Sequence, residues 1–196
     1  DGKASPADSS HLTEVRGNKD SDAFSSSGST LYSSGDLLSA WMDKNKINKD
    51  VEHPDLFEFA DSVNLTSGSA QKVSLPYSQK NLVSFSYNSK TKKYLRSLNG
   101  SAQLDSATNQ QVGVDNLFIL YTPISTSGSQ EANVSLNSGM GIYLHNGTYT
   151  NVMWSKYEST EIFTFLDEEG SQLKVAKGTS WVCMFDSNKK SSVSIG

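Results

Sequence analysis

From Gln71 to Phe185, short stretches of alternating apolar and polar residues recur, separated by turn-forming residues. A chain punctuated this way folds as an antiparallel sheet. Val83, Phe85 and Tyr87 alternate with Ser84, Ser86 and Asn88, the two-residue period of a half-buried strand. Asn88–Lys92 is a polar turn, and Tyr94–Leu98 returns as the partner strand. Asn99-Gly100 follows, the dipeptide suited to a type I′ turn because both positions accept positive φ. A second hairpin is signalled by His145-Asn146-Gly147 between Met140–Leu144 and Thr148–Trp154. A third is signalled by Asp167-Glu-Glu-Gly170 between Glu161–Leu166 and Ser171–Val175. Val112–Thr122 is longer and almost wholly apolar, which marks the central strand, and Thr179–Phe185 closes the set.

The first third of the chain follows a different pattern. Leu37, Leu38, Trp41 and Met42 fall at helical spacing and predict a helix from about Ser34 to Lys46, with Trp41 filling core. Ser33, three residues before Asp36, fits a capping box. His53-Pro54 is expected to begin a turn. Leu56, Phe57 and Phe59 form an apolar segment without a clear period. The predicted class is α+β: mainly an antiparallel sheet of meander hairpins, with one helical segment near the N-terminus. Residues 1–29, with the run Ser25-Ser-Ser-Gly-Ser29, are expected to be a flexible tail or linker. Residues 30–70 are expected to be a helical segment packing on the sheet, 71–186 the antiparallel β domain, and 187–196 a polar tail that frays.

Charge and composition remove several function classes. The net charge is -4 and no Lys/Arg stripe is present, so the phosphate contacts of a nucleic-acid partner have no source. No apolar run approaches the ~18 residues of a membrane-spanning helix. The single cysteine, Cys183, sits in the apolar run Trp181–Phe185 and is expected to be buried and free. The start Asp1-Gly-Lys-Ala-Ser reads as a mature one, with any signal or lipid anchor lying upstream.

The quoted segments also carry a family likeness. Ser74-Leu-Pro-Tyr77 precedes Tyr87-Asn-Ser-Lys-Thr-Lys-Lys-Tyr-Leu-Arg-Ser-Leu-Asn-Gly100. Then come Asp105, Asn116–Tyr121, Gly139-Met-Gly141, Gly147, Trp154-Ser-Lys156 and Gly178-Thr-Ser-Trp-Val182. This order resembles the YerB-like family, DUF3048, of Gram-positive envelope lipoproteins, mainly its C-terminal domain. The likeness spans roughly residues 31–185, and the family's usual N-terminal half is absent. It implies an extracellular or cell-envelope location and a membrane tether through an upstream lipid anchor. It implies no reaction.

Six residues are candidates for ligand binding. Arg96, Asn99 and Asp105 flank the first Asn-Gly turn. Either Arg96 grips a carboxylate or sugar oxygen, or an Arg96–Asp105 pair holds two strands together. Trp154 and Lys156 share a strand face, with Trp181 on another strand nearby. They could hold a glycan ring or an anionic polymer, or simply pack. Glu158, Glu161, His11, His53 and His145 show no catalytic or metal-ligand spacing, and no cofactor or metal motif is present. The favoured reading is a non-catalytic envelope module that binds a wall polymer, a glycan or an envelope protein. The alternative is a cell-wall hydrolase or transferase pairing Asp105 or Glu161 with Arg96.

Overall fold

The computed structural model describes residues 25–27, 30–50, 55–126, 132–158 and 161–196. The chain divides into two compact units, residues 1–53 and 54–196. In the first unit β1 (Ser25–Ser27) pairs antiparallel with β2 (Thr30–Tyr32), so the serine run expected to be flexible contributes a strand. Backbone groups make such a ladder whatever the side chains. Residues 1–24 and the His53-Pro54 turn lie outside the described residues.

α1 (Gly35–Lys44) is the predicted helix. Its cap is Ser34 rather than Ser33. Ser34 is extended at φ -130°, and its Oγ accepts a hydrogen bond from the Leu37 N–H at 3.2 Å. No α1 residue is buried, and Trp41 and Met42 are half-buried, so Trp41 fills no closed core.

The second unit begins earlier than the sequence suggested. β3 (Phe59–Ala60) and β4 (Gly68–Ser69) are strands, and Phe57 and Leu65 are buried with the core. Residues 55–70 therefore belong to the β unit and not to a helical segment.

β5 (Lys72–Ser78), β6 (Asn81–Asn88), β7 (Lys93–Leu98) and β8 (Ser101–Ala102) form the first meander, and β9 (Gly113–Val114) lies against β7. β10 (Asn116–Thr122) starts the second sheet. After a small hairpin of β11 (Ile124–Thr126) and β12 (Ala132–Val134), β13 (Ser138–His145) and β14 (Thr148–Ser155) follow. β15 (Thr164–Leu166) and β16 (Gln172–Leu173) extend that sheet. β17 (Val175–Ala176) pairs with β3, and β18 (Ser180–Asp186) lies beside β10, both in parallel. The larger sheet runs β16-β15-β14-β13-β10-β18, with β4 beside β14.

The hairpin signals hold. Asn99 and Gly100 turn between β7 and β8 at φ 50° and 81°, and Asn146 and Gly147 turn between β13 and β14 at 51° and 77°. The third turn, Asp167–Gly170, joins β15 to β16. The C-terminal residues do not fray. A 3-10 turn at Ser187–Ser192 leads into β19 (Ser194–Ile195), which pairs with β5, while Val193 and Ile195 pack on the core. Those two side chains, outnumbered by polar neighbours in sequence, anchor the tail.

The apolar run Val112–Thr122 serves both sheets. Asp115 marks the crossing, where its Oδ2 accepts from Lys93 Nζ and the Thr179 N–H, both at 2.8 Å. On β10, Leu117 and Ile119 meet Val73, Leu75, Val83, Phe85 and Cys183 of one core cluster. Phe118 and Leu120 meet Phe57, Tyr143, Val152 and Trp154 of another. The core thus lies on both faces of the larger sheet. Phe118 stacks on Tyr143 with ring centroids 4.6 Å apart.

One polar group sits inside this apolar strand. Asn116 is fully buried; its Nδ2 donates to the Ala176 carbonyl at 2.7 Å and its Oδ1 accepts from the Tyr143 hydroxyl at 2.8 Å. The same hydroxyl accepts from the Ala176 N–H at 3.0 Å. Removing the hydroxyl orphans a buried carbonyl oxygen and a buried N–H. Tyr143→Phe should therefore lower unfolding free energy by about 1–3 kcal/mol in urea titrations. A change below about 0.5 kcal/mol would show that the network contributes nothing net.

Cys183 is buried and free, as expected. Burial raises its thiol pKa from 9.0 to about 11, outweighing the Tyr77, Arg96 and Trp181 contributions that lower it. An acid whose pKa is raised on folding stabilises the fold below its unfolded pKa, and that stability is lost as pH rises through the folded value. Stability should fall between pH 9 and about 11. In Cys183→Ala the alkaline fall should begin later, with the tyrosines. An identical alkaline profile in both proteins would refute the assignment.

Candidate functional site

Side-chain alternation on β7 puts Tyr94 and Arg96 on one face, and Tyr94 is buried in the cluster between the two sheets. Arg96 therefore points into the same layer, opposite Phe85 in the β6–β7 register. Trp181, on the edge strand β18, meets it there: the guanidinium carbon lies 4.8 Å from the centre of the Trp181 ring. Trp181 in turn makes an edge contact with Phe85 at 6.3 Å. Burial raises the Tyr77 hydroxyl pKa, and the neighbouring Cys183 thiol adds to the rise while Arg96 opposes it. Tyr77, Arg96, Trp181 and Cys183 thus converge where the edge of the larger sheet meets the meander.

The anticipated Arg96–Asp105 pair does not form. Asp105 is exposed, and its Oδ1 accepts from the Ala107 N–H at 3.1 Å, the Thr108 N–H at 2.8 Å and the Thr108 hydroxyl at 2.9 Å. Those bonds from Thr108 hold its carboxyl below the usual range. A local turn reaches the carboxylate without ordering any distant side chain. Among the described residues Arg96 has no ion-pair partner.

Its Nε is buried and makes no hydrogen bond. One other buried side-chain atom among the described residues shares that condition: Oε1 of Gln103. The two residues are close. The Gln103 N–H donates to the Arg96 carbonyl at 3.1 Å, continuing the β7–β8 ladder. A buried donor and a buried acceptor are therefore left open on facing positions. Leaving such groups unmade costs about 1–3 kcal/mol each, so a partner that completes them gains correspondingly. Gln103 carried no sequence signal beyond its place just after the Asn-Gly hairpin.

The other anticipated residues have different work. Asn99 is a turn brace: Oδ1 accepts from the Leu82 N–H at 2.9 Å and Nδ2 donates to the Lys80 carbonyl at 3.0 Å. Trp154 is buried in the opposite core cluster, so it lies across the sheet from Trp181 rather than beside it. Its indole N–H donates to the Met140 carbonyl at 3.1 Å. Gly139 makes room for this, because a Cβ there would meet the Tyr121 carbonyl and Trp154 Nε1. Lys156, past the end of β14, donates to the carbonyls of Glu158 and Glu161 and lies 5.8 Å from the Phe163 ring. Glu161 braces the same loop, its Oε2 accepting from the Tyr157 and Glu158 N–H groups. Neither acid named for a hydrolase pairs with Arg96. Among the described residues no cluster of His, Cys, Asp and Glu could hold a metal, and no helix is long and apolar enough to cross a membrane.

Comparison with known proteins agrees with this architecture. The crystal structure of the YerB protein from Bacillus subtilis superposes with a TM-score of 0.70 at 19% sequence identity. The match covers 89% of this chain and 59% of that one. At that identity the likeness shows the fold alone. No curated protein matches the chain. A family model described as the C-terminal domain of a protein of unknown function, DUF3048, matches residues 73–182, more than half of the 196 residues. The chain belongs to the DUF3048 family, and its β unit carries that family's C-terminal domain.

Proposed function

We propose that the domain is a non-catalytic binding module of the cell envelope that takes an anionic, hydroxyl-bearing polymer at Arg96. The observation that carries this reading is the pair of open groups, Arg96 Nε and Gln103 Oε1, both buried, on residues whose backbones face each other across the β7–β8 ladder, and without a hydrogen-bond partner among the described residues. Arg96 needs an oxyanion, carboxylate or phosphate. Gln103 needs a donor, which a hydroxyl of the same ligand supplies. Trp181, 4.8 Å from ring centre to guanidinium carbon, holds the guanidinium by a cation–π contact. The envelope location rests on the hydroxyl-rich, weakly charged composition and the family likeness.

A binding role and a structural role for Arg96 differ in one measurable way. A residue kept for the fold destabilises it when removed, whereas an open cation kept for a ligand does not. Arg96→Met should fold with an unchanged or higher Tm. Calorimetric titration with a glycerol-phosphate polymer should show binding by the parent chain, weakened roughly 10–100-fold in the variant, the loss of one or two charge-assisted bonds. An uncharged β-glucan of similar length should not bind either protein. Equal polymer affinity in both proteins, or a folded parent that binds no polymer, would refute the reading.

A further inference from the structure

The face of the larger sheet that meets the smaller one is not covered along its whole width. Met140 on β13, Met153 on β14 and Leu166 on β15 are direct cross-strand neighbours in register, so their side chains form one row. Val152 and Trp154 point the other way into the buried cluster, which places the row on the opposite face. There the covering ends: Met140 is 55% exposed, Met153 41%, and the adjoining Tyr157 65%. Three large apolar side chains on one uncovered patch differ from singly scattered ones, and mark an interaction surface. Two depressions share Met140 and Met153, one of about 400 Å³ reaching Tyr157 and one of about 180 Å³ reaching Asp167 and Glu168.

We infer that this strip docks a polypeptide whose apolar side chains are flanked by lysine or arginine. The charge at its end makes the choice. Asp167 and Glu168 line the strip and Glu169 follows them on the exposed turn, while no Lys or Arg lines either depression among the described residues. The Asn151 amide donates to Glu168 and holds its carboxylate beside the methionines. A second copy would bring the same face in a two-fold contact, with no cation for the acids. A basic partner supplies one. Methionine suits the task, because its unbranched, polarizable side chain adapts to the shape that docks. The strip shares no residue with the Arg96 site, so the two proposals stand or fall separately.

Methyl-labelled methionine reports on the surface directly, since Met42 and Met184 lie outside the strip as internal controls. The probes are two synthetic peptides with the same leucine-rich centre, one flanked by lysines and one by glutamates. With the lysine peptide, the Met140 and Met153 methyl signals should move and the controls stay, and added salt should weaken the effect. Glu168→Lys should weaken this binding roughly 10-fold, by putting like charge against the flank. Equal response to both peptides, response only at the control methyls, or no response would overturn the inference. So would Met140 and Met153 shifts that follow protein concentration alone, which would make the occupant a second copy.

Discussion

The constraint on which the β unit depends is that β10 is apolar on both faces and covered on both. A half-buried strand needs one partner layer. β10 needs two, and the smaller sheet on one side and the Phe57–Phe165 aromatic cluster on the other supply them. Sliding the strand by one residue would exchange Leu117 and Ile119 for Phe118 and Leu120 against each layer. It would also draw Asn116 away from Tyr143 and Ala176. The buried amide thus acts as a register pin: each of its groups is satisfied in one alignment only, and the low-dielectric surroundings penalise the others.

That arrangement moves the open chemistry to the margins. Deep in the unit, polar atoms are paired; among the described residues the two buried side-chain atoms without a partner belong to Arg96 and Gln103, on the β7–β8 side of the meander. The cross-sheet tie at Asp115 lies at the β9–β10 crossing, so Lys93 and Thr179 hold the sheets together without Arg96. The exposed methionine row follows from the same geometry, since the smaller sheet covers β10 and its neighbours and leaves the β13–β15 end of that face open.

Much of this was legible in the sequence, for local reasons. The Asn-Gly turns announce themselves because they need positive φ, and strand alternation follows directly from which face is buried. The β10–β18 and β17–β3 pairs were not legible: parallel partners are joined by long connections and leave no short-range pattern. The polar C-terminal residues hid an ordered strand because two aliphatic side chains, Val193 and Ile195, anchor ten residues. The Arg96–Asp105 pairing failed because Thr108 competes for the carboxylate at far smaller entropic cost. For Trp154 the sequence allows either holding a ligand or packing; it packs, because Gly139 and Gly141, two strand positions without side chains, open the space that buries it. Of the six anticipated site residues, Arg96 and Trp181 meet. Gln103, whose backbone faces Arg96, is marked only by the absence of a hydrogen-bond partner on its Oε1, which no sequence displays.

Doubly covered β10 is the rigid base from which both margins hang. Native-state hydrogen exchange resolved by residue tests it. The amides of Phe118, Ile119 and Leu120 should exchange through global unfolding alone, with free energies equal to that from urea titration, while β5 and β6 amides open at lower cost. Protection that is highest in the β5–β6 hairpin, with β10 amides exchanging through cheaper local openings, would contradict the account.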